Sequence, residues 1–85
     1  MSNSQLPGTV TVRYWAAAAA AAGTAQESLP VGSVAQILDA ARRRHPDLER
    51  VLAVATILHD GRVLRPGQEV PVGAELEVLP PFAGG

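Results

Sequence analysis

Few side chains in this sequence are equipped for chemistry. There is no cysteine, which removes a thiolate nucleophile, a thiolate metal site and a disulfide framework together. His45 and His59 are the only histidines, and neither stands at metal-ligand spacing from the other or from a carboxylate. His45 precedes Pro46 as a helix-end residue would, and His59 precedes an Asp60-Gly61 turn. Glu75 and Glu77 alternate on what should be the solvent side of a strand. Arg42-Arg43-Arg44 could meet a phosphate or an acidic partner, but a helix end whose positive charge complements the helix dipole explains them more simply. No phosphate-loop, dinucleotide or nucleophile-elbow pattern occurs. The group left over is the α-carboxylate of Gly85.

That carboxylate ends the stretch Leu79-Pro80-Pro81-Phe82-Ala83-Gly84-Gly85. The prolines carry no N–H and hold φ near about −65°, so a strand entering them must stop and the chain beyond should project. Gly84 and Gly85 have no side chains to obstruct passage through a narrow cleft. Extended, the last five residues would reach roughly 16–18 Å. An α-carboxylate has a pKa near about 3.5 and is inert at neutral pH. To react it must be activated by another protein, most economically as an acyl-adenylate made from ATP, after which sulfur could replace the adenylate to give a thiocarboxylate. A cleft closing round bare glycine backbone could then place the carboxyl carbon for reaction. The competing reading is a frayed terminus, the ordinary fate of terminal glycines.

The elements that would mount this end are legible in the hydrophobic pattern. Residues 1–8 are polar and aperiodic and are expected to be a disordered arm, leaving residues 9–80 as the domain and 81–85 as a flexible diglycine tail. Thr9–Trp15 alternates, with Val10, Val12 and Tyr14 on the face to be buried. Ala16–Ala22, closed by Gly23, reads as a short helical connector too brief to stand alone, although a loop is not excluded by sequence. Thr24–Pro30 is a weaker strand in which Ala25, Glu27 and Leu29 share a face. Ser33 and Gln36 form a capping-box pattern, and Val34, Ile37, Leu38 and Ala41 give the next helix one apolar stripe. Pro46 stops it. Asp47–Val51 is expected as a loop with Leu48 tucked under the helix, and Leu52–Leu58 as a mostly buried strand. Asp60-Gly61 marks a two-residue hairpin leading to Arg62–Leu64. Turns at Arg65-Pro66-Gly67 and an irregular crossing at Val70–Gly73 follow, before Glu75–Leu79, where Leu76 and Val78 share a face. This order suits an α+β fold, one mixed sheet of four to five strands with a main helix packed across it, the first and last strands pairing at its centre.

Eighty-five residues make one small domain, and a net charge of −1 lacks the basic face of a nucleic-acid binder. All seven basic residues are arginine, so the chain has no ε-amino group for a Schiff base or an isopeptide bond. Tyr14-Trp15 and the alanine run imitate a signal peptide only superficially, and no stretch is long enough to span a membrane. A cytoplasmic location is expected.

Val10–Trp15, the alanine-rich turn ending in Gly23, Ser33-Val34-Ala35 opening a helix, the Asp60-Gly61 hairpin and the ending Pro80-Pro81-Phe82-Ala83-Gly84-Gly85 together resemble the MoaD-type small subunit of molybdopterin synthase, within the ThiS/MoaD sulfur carriers. The resemblance spans Thr9–Gly85 and implies a ubiquitin-like β-grasp fold with a protruding C-terminal tail. It implies that Gly85 is adenylated and then thiocarboxylated, that Ala83 and Gly84 thread with it into the large synthase subunit, and that Pro80, Pro81 and Phe82 sit at the mouth of that pocket, Phe82 as an apolar anchor. The implied partners are that large subunit, an adenylating enzyme of the E1-like class and a sulfurtransferase or other sulfur donor. The implied acceptor is cyclic pyranopterin monophosphate, in molybdenum-cofactor synthesis. No cofactor or metal would be bound, ATP being used by the separate activating enzyme, and the chain would be a protein co-substrate rather than a stand-alone enzyme. Where relatives often read Asp-Gly-Asp before the last strand, this chain has Val72-Gly73-Ala74-Glu75. Two alternatives remain open: a thiocarboxylate carrier serving another pathway, such as thiamin thiazole or cysteine, and a β-grasp interaction module whose terminus is incidental.

Overall fold

The computed structural model of the chain describes residues 8–81. Two strands come from the clearest alternating segments, β1 (Thr9–Tyr14) and β5 (Glu75–Leu79), and the weaker one gives β2 (Gln26–Pro30). Between them lie helices α1 (Ala17–Ala22), α2 (Val34–Arg44) and α3 (Leu48–Leu52), and the short strands β3 (Thr56–His59) and β4 (Arg62–Val63). The five strands form one sheet in the order β2-β1-β5-β3-β4. The first and last strands occupy its middle as expected, running parallel with Val12 opposite Leu76 and Tyr14 opposite Val78. All the other pairings are antiparallel.

Alternation puts Val10, Val12, Tyr14, Leu29, Ile57, Leu76 and Val78 on the inner face, where each is buried. Val34, Ile37 and Ala41 of α2, Leu48 and Leu52 of α3, and Ala18 and Ala22 of α1 complete one core. In α2 the capping box is formed in both directions, Ser33 Oγ accepting from the Gln36 N–H at 3.2 Å and Gln36 Oε1 from the Ser33 N–H at 2.9 Å. Such a cap contributes about 1 kcal/mol. Two more N–H groups of the first turn go to the 65–70 segment: Val34 donates to the Gln68 carbonyl and Ala35 to that of Pro66, both at 2.9 Å. The irregular crossing is therefore fastened to the start of α2, and its Val70 and Ala74 are buried.

The alanine run is a helix, α1, stopped by Gly23 in the left-handed region at φ 72°, whose N–H returns to the Ala19 carbonyl. Asp60 and Gly61 both take positive φ, 53° and 75°, the type I′ signature of a hairpin that tolerates the sheet's twist. Gly8, assigned from sequence to the N-terminal arm, accepts a hydrogen bond from the Val31 N–H at 3.1 Å. The rest of that arm, residues 1–7, lies outside the described residues.

Two expectations are corrected. Asp47–Val51 is not a loop, because Leu48–Leu52 forms α3, and the strand expected over Leu52–Leu58 begins only at Thr56. The residues after Pro46 coil, and Leu48 and Leu52, one turn apart on one helical face and about 6 Å along the axis, both enter the core, where an extended path would set them roughly 13 Å apart. Burial overrides the β-propensity of Val51 and Val54, and Val54 is left 61% exposed. Leu48 does lie beneath α2, fully buried.

Leu76 sits on the central strand with no exposure. Leu76→Ala is expected to cost about 2–5 kcal/mol, read as a lower urea midpoint. A loss below about 1 kcal/mol would show that β5 does not carry the core.

Candidate functional site at the end of the last strand

The last strand leaves the sheet from its centre. Leu79 is half-buried opposite Thr56, and Pro80 follows without an N–H to extend the ladder. Pro80 is itself buried, so the root of the terminal segment is part of the body, and the backbone turns at the exposed Pro81. Trp15, one residue beyond β1, donates its N–H to the Val78 carbonyl at 3.2 Å and holds the two strand ends together. On the outer face Arg13 pairs with Glu75 at 3.2 Å and places its guanidinium 5.2 Å from the centroid of the Trp15 ring. Among the expected site residues, Pro80 and Pro81 are therefore placed. Phe82, Ala83, Gly84 and Gly85 lie outside the described residues.

Beside this root is a groove of about 290 Å³, lined almost wholly by apolar atoms. Ala16 and Ala17 form one wall, Val51 and Val54 another, and Pro80 and Pro81 the third, with the exposed Arg50 alongside. Ala16 adopts φ 50°, ψ −123°, a conformation that costs an alanine roughly 1–3 kcal/mol. The bend is locked from within, Ala18 donating to the Trp15 carbonyl and Ala20 to that of Ala16. It turns the chain sharply from β1 into α1 and so sets the groove's first wall against the last strand.

On the inner face at the same pole, Glu27 of β2 gathers three donors. The Tyr14 hydroxyl donates to Oε2, Arg44 Nε donates to Oε1 at 2.9 Å, and His45 Nε2 lies 3.0 Å from Oε2 and 3.1 Å from Oε1. The carboxylate can only accept, so the His45 proton is on Nε2. Burial on its own would raise the Glu27 pKa; hydrogen bonds from Tyr14 and His45 and the charges of His45 and Arg44 outweigh it and hold the carboxyl below its ordinary value. Burial, and then the bond to Glu27, push the Tyr14 phenol far above its usual range, so it stays protonated as the donor. The cluster ties β1, β2 and the end of α2 together behind the strand that carries the terminus.

The remaining polar candidates are engaged within the domain. Arg43 pairs with Asp39 at 3.0 Å and Arg44 with Glu27, which leaves the arginine run without a concerted anion cradle. His59 Nδ1 lies 3.3 Å from the Glu75 carbonyl oxygen, and its Nε2 lies 3.8 Å from Asp60. Among the described residues no three His, Cys, Asp or Glu side chains converge as a metal site would require, and no helix is long and apolar enough to cross a membrane. Sequence reasoning missed the groove and the Glu27 cluster. Its one signal was an acid on the inner face of a strand, between Ala25 and Leu29.

A mixed sheet with parallel first and last strands at its centre, a helix across it and a terminal segment leaving the middle defines a β-grasp domain of the ubiquitin-like class. The chain belongs to the ThiS family, which it matches over residues 12–85. Its fold is similar to that of SAMP1 from Haloferax volcanii, with 27% identity, 92% of this chain and 100% of that one covered, and a TM-score of 0.80. A Pyrococcus furiosus protein provisionally described as molybdopterin converting factor, subunit 1, is 26% identical, with 87% and 98% covered and a TM-score of 0.77. Small archaeal modifier protein 1 of Methanosarcina acetivorans, 24% identical over 92% of this chain and 97% of that one, shares the fold with a TM-score of 0.80. Among curated proteins none matches the sequence at a significant level.

The lowered Glu27 pKa fixes the sign of an acid dependence. A depressed folded-state pKa contributes stability that is present above the unfolded value, near 4.5, and is lost as pH falls through the folded value. Glu27→Gln should lower the urea midpoint at pH 7, and the gap from the unmodified chain should narrow on acidification below about pH 4. An equal gap at both pH values would mean that charge at Glu27 contributes nothing.

Proposed function

We propose that the chain is a sulfur carrier of the molybdopterin-synthase type, with the carboxyl of Gly85 as its working group. The match to the ThiS family running through residue 85 carries this reading. The fold supports it, since β5 is held in the sheet centre and delivers the terminus from a fixed point.

The chemistry divides between the chain and its partners. A carboxylate oxygen of Gly85 attacks the α-phosphorus of ATP on an E1-like enzyme, and pyrophosphate leaves. Sulfur at the sulfide level, supplied by a sulfurtransferase or another donor, attacks the acyl carbon and expels AMP, leaving a thiocarboxylate. The large synthase subunit then receives Ala83, Gly84 and Gly85, with Pro80, Pro81 and Phe82 at the entrance; the thiocarboxylate sulfur bonds to cyclic pyranopterin monophosphate, and water cleaves the acyl carbon–sulfur bond to return Gly85 as a carboxylate. The chain binds no cofactor; it contributes a rigid mount, a proline stop and side-chain-free glycines.

The structural likeness to SAMP1, described as a modifier protein, favours a second reading in which the same acyl-adenylate is taken by an amine of another protein. Having no lysine, the chain cannot receive such a bond on a side-chain amine of its own.

The test supplies ATP, an E1-like enzyme and a sulfur donor. The chain should gain the mass of one oxygen exchanged for sulfur and should restore cofactor synthesis in a strain lacking the small synthase subunit. Deleting Gly85 should abolish both while leaving the unfolding midpoint unchanged. Sulfur transfer that survives the deletion would overturn the assignment; conjugates to other proteins without complementation would establish the modifier reading instead.

A further inference from the structure

The groove between α1, α3 and the end of β5 combines three features that the packing of the domain does not use. Its walls are apolar, and Val54 stands 61% exposed on one of them, a surface that in water favours an apolar occupant. The Ala16 methyl is kept on another wall by a backbone at φ 50°, which a glycine would adopt without strain. Ala16 is exposed, so the methyl is not retained for the core. Strain of this kind gathers at binding and switching sites.

The third feature is charge. Among the described residues lining the groove, Arg50 alone is charged. It has no ion-pair partner among the described residues, whereas Arg13, Arg43 and Arg44 each have one. Asp47 and Glu49 line the adjoining hollow, which shares Arg50, and not the groove itself. A planar guanidinium matches a carboxylate in two-pronged fashion, and an apolar body closing over the groove would keep water from that pair.

A second copy of the chain does not supply this combination. Besides Val54, the large apolar side chains exposed among the described residues are Trp15, Val63 and Val72. Trp15 has the Arg13 guanidinium against its ring and Val63 follows Arg62, so either would bring like charge towards Arg50. Val72 lies between Pro71 and Gly73, with no acid next to it.

We propose that the groove docks a segment of another protein in which a leucine- or phenylalanine-sized side chain lies one or two residues from a carboxylate. The apolar side chain sits between Ala16, Val51 and Val54, and the carboxylate pairs with Arg50. A partner so seated rests against Pro80 and Pro81 and holds the body of the domain. The docking does not rest on the carrier reading.

Random peptides displayed on phage and selected on the full chain test this. Enriched sequences should share an apolar residue with an acid one or two positions away. Made as free peptides, they should bind Arg50→Glu and Val54→Asp at least about tenfold more weakly than the unmodified chain. Ala16→Gly should weaken binding about fourfold, as the loss of one buried methyl, while raising the urea midpoint. Val63→Asp, on the edge strand β4, should bind like the unmodified chain. No enrichment, enrichment without an acid, or peptides that hold Arg50→Glu and Val54→Asp undiminished would overturn the proposal. So would a dimer of the unmodified chain in sedimentation that Val54→Asp dissolves, which would assign the groove to a second copy. The selection involves no sulfur chemistry, so its failure leaves the carrier reading standing, and a failed thiocarboxylation assay leaves the docking standing.

Discussion

The parallel pairing of β1 with β5 is the constraint on which the domain depends. Two strands separated by most of the chain meet in register at the sheet centre, with Thr11 opposite Glu75 and Tyr14 opposite Val78. β2 pairs along the other edge of β1 and β3 along the other edge of β5, and the inner face of valines and leucines shares one core with α2. Parallel strands need a long crossover. Here everything from α1 to the irregular crossing serves as that connection. The Ala16 bend, the buried Pro80 and the Glu27 cluster all gather at the pole where this pair ends.

Several of the side chains that could do chemistry elsewhere on this scaffold are committed to structure. Arg44 and His45 spend their donors on Glu27, Arg13 pairs with Glu75, and Arg43 with Asp39. A fold shared by carriers and modifiers does not choose between those roles; the chemistry at the terminus does.

Much of this was legible in the residues. The capping box at Ser33 and Gln36, the Asp60-Gly61 hairpin and the alternation of Thr9–Tyr14 and Glu75–Leu79 are local signals in which one short stretch determines its own geometry. α3 was hidden because its five residues carry no cap, Asp47 making no side-chain bond, so that 47–51 read as a loop and Leu52 as the start of the next strand. Its helicity follows from Leu48 and Leu52 reaching a core that other segments build. The Glu27 cluster was hidden for a related reason. Tyr14, Glu27 and His45 are 13 and 18 positions apart, and only the sheet register and the length of α2 bring them together. The groove is a property of three segments at once, and the positive φ of Ala16 leaves no trace in an alanine run.

The parallel pairing has a mechanical consequence. Force applied beyond Pro81 runs along β5 in its own direction, and the neighbouring β1 resists it through a row of hydrogen bonds lying across the line of pull. Those bonds are loaded together in shear, whereas a hairpin pulled from its open end unzips one bond at a time. If a partner draws on this end, as the proposed carrier role requires, β5 meets the pull in the geometry that best withstands it.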